Sequence, residues 1–212
     1  MAAMEYAKMA RMLTRCAEIA EDAMVKPLVK TTYLGILESP AVSFLNAERA
    51  VMKAESTYAK EAAEANAALE TLDQPYREAR SVVKAFVPTT NVPATLKQLP
   101  TDTDRLVAIE TLVDVVDDYE TTTWASELLN GPFGQKAVAT MTEFEEAIAA
   151  NKRLGEARTT RAAAFDPAYE AYLRFKRVVR DAYGATSVEY KRIHLRGSPN
   201  GEAEAAPPSS PT

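Results

Sequence analysis

Apolar and small side chains recur at steps of three and four through most of the chain, as they do along one face of an α-helix. In the first segment, residues 2–37, this seam consists of Tyr6, Met9, Leu13, Cys16, Ala20 and Ala23. Its heptad-like spacing is typical of helices that pack as in a coiled coil. Pro27 predicts a kink inside this segment, because proline removes one helix hydrogen bond and crowds the preceding turn.

A second, longer helix is predicted to begin at Ser39-Pro40, since serine is a favoured N-cap and proline a favoured first helical residue. Its apolar seam continues to Phe86 through Tyr58, Ala62, Ala65, Leu69, Leu72, Tyr76, Ala79 and Val83. Pro75 lies within this seam and predicts a bend or a split. Residues 88–100 contain three prolines and predict a loop.

The second half of the chain follows the same short–long order. Thr101-Asp102-Thr103-Asp104 predicts the cap of a third helix that continues to about Leu129. Asn130-Gly131-Pro132 ends that helix and starts a fourth, residues 132–183, in which Asp166-Pro167 predicts a break or kink. Gly184 predicts the end of the fourth helix. Residues 184–196 form a short extension, and residues 197–212 predict a disordered tail.

These elements predict an all-α, elongated four-helix bundle that forms a single domain over residues 1–196. At one common offset Pro40 aligns with Pro132 and Pro75 with Pro167. The alignment favours a tandem duplication of a short–long helical hairpin, with repeat 1 at about 1–87 and repeat 2 at about 101–183. Two unrelated amphipathic hairpins are the alternative, because the seam of the fourth helix is about one residue out of phase with that of the second.

The composition favours long helices and a reducing compartment. The chain has only 7 glycines and a single cysteine, which excludes a disulfide within the chain and a multi-cysteine zinc site. The charged first residues predict no signal peptide, and no apolar run reaches the length of a membrane span. We therefore expect a cytoplasmic protein without a membrane span.

The sequence predicts no enzyme and no cofactor. A di-iron bundle requires two Glu-x-x-His motifs, but His194 is the only histidine and no glutamate precedes it by three residues. Phosphate-binding, dinucleotide and Gly-x-Ser-x-Gly motifs are absent from the sequence. Cys16 lies on the apolar seam, which predicts a buried, inert thiol.

Two sets of carboxylates are candidates for a metal or acid–base site. Glu48 and Glu55 are seven residues apart near the seam of the second helix, so burial of both would allow a carboxylate-only metal-binding bundle. The favoured interpretation is that both face water and pair with Arg49 or Lys53. A second set, the acidic stripe, is predicted to be a solvated face: Glu110, Asp114, Asp117 and Asp118.

The end of the helical region is basic, although the net charge of the chain is −5. The candidate anion-binding residues, which we call the basic end, are Arg174, Lys176, Arg177, Arg180, Lys191, Arg192 and Arg196. Tyr172, Tyr183 and Tyr190 are interleaved with them and could stack on bases. The alternative function is therefore a polyanion- or nucleic-acid-binding module, although the acidic remainder of the chain does not favour nucleic acid.

The favoured function is a non-enzymatic binding, scaffolding or self-assembly protein that acts through helix surfaces. The apolar stripe of the second helix is broader than a two-helix seam, since it includes Val51, Met52, Tyr58 and Ala59. A broad stripe has to be covered by a third helix or by a partner. Ala62-Ala63 and Gly155 are expected to allow close helix approach. The predicted partner is a second copy of the chain or another protein.

Overall fold

A computed structural model describes residues 3–96 and 105–194, and every regular element in these two ranges is helical. In chain order the elements are α1 (Ala3–Glu21), α2 (Pro27–Thr32), a π-helix (Tyr33–Leu37), α3 (Glu38–Phe86), a 3-10 turn (Ala94–Leu96), α4 (Arg105–Asp117), α5 (Thr123–Asn130), α6 (Pro132–Tyr183) and α7 (Val188–Arg192). The predicted all-α class is confirmed for these residues. The predicted cap at 101–104 and the predicted tail at 197–212 lie outside them.

The first helix is shorter than predicted, because the chain leaves the helix after Glu21 rather than kinking at Pro27. The carboxylate of Asp22 accepts a hydrogen bond of 2.8 Å from the Met24 amide, which closes a tight turn. Pro27 is then the first residue of α2. A proline is accommodated there because the amide of a first helical residue has no intrahelical partner.

The helix α3 begins at Glu38, one residue before the predicted start at Ser39-Pro40, but this is not a helix N-terminus because the chain enters α3 directly from the π-helix. Directly before them the π-helix widens the backbone, and the Glu38 amide donates to the Tyr33 carbonyl five residues earlier. We attribute this wide turn to Pro40, which has no amide proton and whose ring would crowd the carbonyl of Ile36 in a regular α-helix. Pro75 and Pro167 also lie inside helices and split neither of them.

The predicted third helix is interrupted by a turn between Asp117 and Thr123. In this turn the amide and the hydroxyl of Thr122 both donate to the Tyr119 carbonyl, at 2.8 and 2.7 Å. Threonine hydroxyls compete with helical hydrogen bonds in this way, and three threonines follow one another at 121–123. The predicted change of helix at Asn130-Gly131-Pro132 is confirmed.

The end of α6 is also as predicted. Gly184 has φ +93°, a left-handed conformation that favours glycine, and its amide donates to the Arg180 carbonyl at 2.8 Å. The next helix, α7, is capped by Ser187, whose hydroxyl accepts from the Tyr190 amide at 3.1 Å.

The chain divides into two compact units: unit 1 is Met1–Val51 with Ala157–Thr212, and unit 2 is Met52–Glu156. The divisions fall inside α3 and α6, whereas the sequence predicted a single domain whose two repeats are joined by the loop 88–100. The single bundle and the duplicated hairpin remain predictions. The core of unit 1 combines α1, the π-helix, the start of α3 and the end of α6, and its largest fully buried side chains include Met9, Leu13, Leu37, Phe44, Tyr172 and Phe175.

The core of unit 2 combines the later part of α3 with α4, α5 and the start of α6. Its fully buried residues include Leu72, Val83, Leu96, Leu112, Val116 and Ala137. The three-and-four spacing predicted the buried positions Leu72, Tyr76, Ala79 and Val83 on α3. Gly155 does not lie at a close approach between helices, since a Cβ added there would meet nothing within 4 Å. That expectation is therefore wrong.

Candidate functional site

In unit 2, α3 and α6 run antiparallel and form an open groove between them. Residues 58–66 of α3 face residues 144–151 of α6, while Thr71, farther along α3, meets Lys136, earlier on α6. The Lys136 ammonium donates to the Thr71 carbonyl at 3.0 Å. Because Ala65 and Ala147 are both buried and short, the two backbones can lie close together.

The groove has a volume of about 260 Å³, and none of its lining residues is charged: Tyr58, Ala62, Ala65, Asn66, Phe144, Ala147, Ile148 and Asn151. Three of these residues are alanines, of which Ala65 and Ala147 are buried. Tyr58 and Phe144 are half-buried, whereas 63% of Ile148 is exposed. The groove therefore combines short, buried apolar side chains with one exposed apolar side chain. The predicted seam of the second helix includes Tyr58, Ala62 and Ala65, but spacing alone does not indicate which residues of the fourth helix face them.

Three carboxylates of unit 2 that the sequence did not single out lie close together. One oxygen from each of Glu61, Glu143 and Glu146 is within 4.8 Å of the others. One oxygen of Glu61 is buried and accepts no hydrogen bond from the described residues, while the other lies 3.4 Å from the Lys60 ammonium. Carboxylate oxygens suit hard divalent cations. Glu146 is exposed and Glu61 already has a cationic neighbour, so the arrangement is better described as a crowded acidic face than as a built metal site.

Crowding of like charges predicts that Glu61→Gln stabilises the protein. The substitution keeps the shape of the side chain, removes one of three adjacent negative charges and leaves the weak surface contact with Lys60 as its main loss. We expect the free energy of unfolding to rise by about 0.5–1 kcal/mol in urea denaturation at low salt, and the gain to shrink in about 1 M salt. Glu145→Gln, at an exposed neighbouring position outside the cluster, is the control and should change little. A destabilised Glu61→Gln would contradict the repulsion.

Glu48 does not face water, so that prediction is wrong. Its carboxylate accepts a 3.0 Å hydrogen bond from Arg161 of α6, and the two side chains are only 17% and 13% exposed. The Arg161 guanidinium also lies 4.0 Å above the Tyr6 ring. Its Nε is buried and has no hydrogen-bond partner in the described part of the chain. Glu55 is exposed, as predicted.

The basic end belongs to unit 1, and several of its cations already have partners there. Arg192 pairs with Glu18 at 2.7 Å, and Arg180 with Asp181 at 3.1 Å. The Lys176 ammonium lies 5.8 Å from the centre of the Tyr190 ring, and burial, followed by the nearby Arg180, lowers the pKa of Lys176. Arg174, Arg177 and Lys191 are exposed. Arg196 lies outside the described residues.

Of the three interleaved tyrosines, Tyr172 cannot stack on bases, and Tyr183 and Tyr190 already contact other residues of the chain. Tyr172 is fully buried, and its hydroxyl donates to the Ile193 carbonyl. The Tyr183 hydroxyl accepts from the Lys26 amide at 2.8 Å, and the Lys26 ammonium lies 4.9 Å from the centre of its ring. Tyr190 is half-buried and packs beside His194, with ring centres 5.6 Å apart.

Two further predictions are confirmed. Cys16 is fully buried, and burial raises the pKa of its thiol far above the ordinary value, which suppresses the reactive thiolate. The four carboxylates of the acidic stripe on α4 and the following turn are all exposed, as expected of a solvated face. In the described ranges no helix is long and apolar enough to cross a membrane.

No family model matches this chain, and neither the curated proteins nor the solved structures include a significant match.

Proposed function

We propose that this chain is a non-enzymatic, cytoplasmic protein-binding protein that acts through a helix surface and needs no cofactor. The observation that supports this best is the groove of unit 2, which is lined by uncharged residues and leaves 63% of Ile148 exposed. Covering such a surface releases ordered water and is favourable in proportion to the apolar area removed from solvent.

The groove is suited to the apolar face of an α-helix. Its lining comes from two antiparallel helices, and three of the lining residues are alanines, whose short side chains allow another helix to approach. Side chains repeating at three- and four-residue spacing on the incoming helix can then lie between Tyr58 and Phe144. The partner surface is therefore amphipathic and helical.

The basic end supports the alternative, polyanion binding, less well. Arg192 and Arg180 are engaged by Glu18 and Asp181, and burial lowers the pKa of Lys176. The aromatic rings that would stack on bases are buried or contacted by lysines. The net charge of −5 adds a long-range repulsion of polyanions.

Photo-crosslinking inside cells of the source organism tests the proposed function. A benzoyl-phenylalanine is placed at Ile148, within the groove, and in a separate strain at Val138, which lies on the same helix outside the groove and is 65% exposed. We expect protein adducts from position 148 and few from position 138, because only the groove binds a partner surface.

Peptide mapping decides the outcome. An adduct that maps to an apolar helix face, in this chain or in another protein, supports the function. Equal labelling from positions 148 and 138, or adducts from neither, would overturn it, since the groove would then have no preferred occupant.

A further inference from the structure

We propose that unit 2 contains a binding site for a small aliphatic amine in its ammonium form. The site is a recess where α3, the end of α5 and the start of α6 meet, and its volume is about 70 Å³. Sites for drug-sized ligands occupy about 300–1,000 Å³, so this recess suits a ligand of only a few carbon atoms. The recess is separate from the groove, because the two share no described lining residue.

The recess combines an apolar lining with two carboxylates. Its apolar lining includes Pro75, Ala79, Leu128 and Phe133. Two exposed glutamates, Glu78 and Glu127, also line it, and none of the described lining residues is basic. An alkylammonium ion matches both features, since its chain can lie on apolar surface while its charged end meets a carboxylate.

Neither carboxylate has a cationic partner in residues 3–96 and 105–194. The Glu78 carboxylate accepts a 2.7 Å hydrogen bond from the neutral side-chain amide of Gln74. Glu127 forms no ion pair with these residues. It also lies three residues before Asn130, where α5 ends, and the carbonyl end of a helix carries partial negative charge that favours a cation.

The basic side chains closest along the chain are engaged by other groups. Arg77 pairs with Asp73 at 2.9 Å, and Arg80 donates to the Leu96 carbonyl. On the first turns of α6, the Lys136 ammonium donates to a carbonyl of α3 at 3.0 Å. An external ammonium ion therefore does not have to displace any of these cations from the two glutamates.

The charge of unit 2 attracts a cation from a distance. Residues 52–156 contain 10 basic and 18 acidic residues, which gives a net charge of −8. Between Arg105 and Lys136, the stretch that contains α4 and α5, there are six acidic residues and no basic one. Such a field raises the local concentration of small cations and disfavours anions.

The only tryptophan of the chain lies beside the recess. Trp124 precedes Glu127 and Leu128 by three and four residues on α5, a spacing that places side chains on one helix face. Its ring stacks on Phe86, which is 61% exposed, with ring centres 5.5 Å apart. The fluorescence of Trp124 therefore reports on occupation of the recess.

Titration of the full chain with n-butylammonium chloride, at constant ionic strength, tests the inference. We expect a saturable change in tryptophan fluorescence with a dissociation constant on the order of 1 mM, as is reasonable for five heavy atoms. Ammonium chloride has the charge without the chain, and 1-butanol has the chain without the charge. Each should bind at least about 5-fold more weakly, because each uses only one of the two features.

Variants locate the site. Glu78→Gln and Glu127→Gln should each weaken binding of n-butylammonium by about 3–5-fold, since each removes one of the two carboxylates. Glu145→Gln removes the same charge from an exposed position of unit 2 outside the recess, and should change binding by less than about 1.5-fold. Circular dichroism confirms that the variants are folded.

Absence of saturable n-butylammonium binding overturns the inference, as does equal weakening by all three variants, since binding would then follow net charge alone. Equal binding of ammonium or 1-butanol overturns it as well. Binding of acetylated hexalysine amide without binding of n-butylammonium would show that the recess takes a peptide segment rather than a small amine. Because position 148 lies outside the recess, its photo-adducts test the proposed function separately.

Discussion

Gly134→Ala is expected to lower the free energy of unfolding by about 3–5 kcal/mol, because it forces two backbone segments apart. A Cβ at this position would lie 1.9 Å from the carbonyl oxygen of Leu129 and 2.6 Å from its carbonyl carbon. Both atoms are backbone at the end of α5, so no side-chain rotation can relieve the overlap. Gly131 alone joins α5 to α6, which leaves little freedom for adjustment.

The effect can be followed in unit 2 through Trp124, the only tryptophan of the chain, which stacks on Phe86 with ring centres 5.5 Å apart. Urea denaturation recorded by tryptophan fluorescence should give a much lower midpoint for Gly134→Ala than for the wild type.

Gly155→Ala is the matched control, since Gly155 also lies within α6 but a Cβ there meets nothing within 4 Å. Alanine is the better helix former, so this variant should be more stable than the wild type by about 0.5–1 kcal/mol. Wild-type stability of Gly134→Ala would contradict the close approach of α5 to the first turn of α6.

Arg161→Leu and Glu48→Leu are each expected to lower the free energy of unfolding by about 2–3 kcal/mol, because each leaves a largely buried charge without its partner. In unit 1 the Arg161 guanidinium is held between the Glu48 carboxylate at 3.0 Å and the Tyr6 ring at 4.0 Å. The side chains are 13% and 17% exposed, so solvent screens their interaction only in part.

The double variant Glu48→Leu/Arg161→Leu should be more stable than either single variant. Two leucines leave no buried charge and can pack beside the aromatic rings of Phe44 and Phe165, whose centres are 5.9 Å apart. The double-mutant cycle, measured by urea denaturation with circular dichroism, should give a coupling energy of about 2 kcal/mol or more.

The pair Glu18 and Arg192 provides the comparison within the same unit. Its 2.7 Å contact is shorter than that of Glu48 and Arg161, but the side chains are 50% and 45% exposed. The same cycle there should give at most about 1 kcal/mol, and salt should reduce it. Equal coupling in the two cycles would show that burial does not determine the strength of the first pair.

The sequence by itself determined the helical class and the burial of many seam positions, such as Leu13 and Leu72. Steps of three and four between apolar residues place them on one face of a helix. An apolar face has to be buried, whichever helix or chain covers it. Local chemistry also fixed the end of α6 at Gly184 and the change of helix at Pro132, because glycine and proline act through their own backbone. The burial of Cys16 followed from its place on the seam.

Spacing and local chemistry did not determine whether the helices continue or end near Asp22, Pro40 and Thr122. The first helix ends where the Asp22 side chain accepts a hydrogen bond, whereas a π-helix leads into Pro40 without a break. Whether a helix continues at such positions depends on whether packing against other helices compensates for a weakened local hydrogen bond. Spacing along one segment contains no information about that compensation.

Only the tertiary structure decided which residues form the candidate site. Tyr58 and Ile148 line one groove, Glu61 meets Glu143, and Glu48 pairs with Arg161, although the members of each pair are distant in the sequence. Periodicity indicates which face of a helix is apolar, but not which helix lies opposite or at what register. Those features are set by long-range packing between α3 and α6 within each unit, where small residues and fitted side chains select one alignment among several that bury similar area.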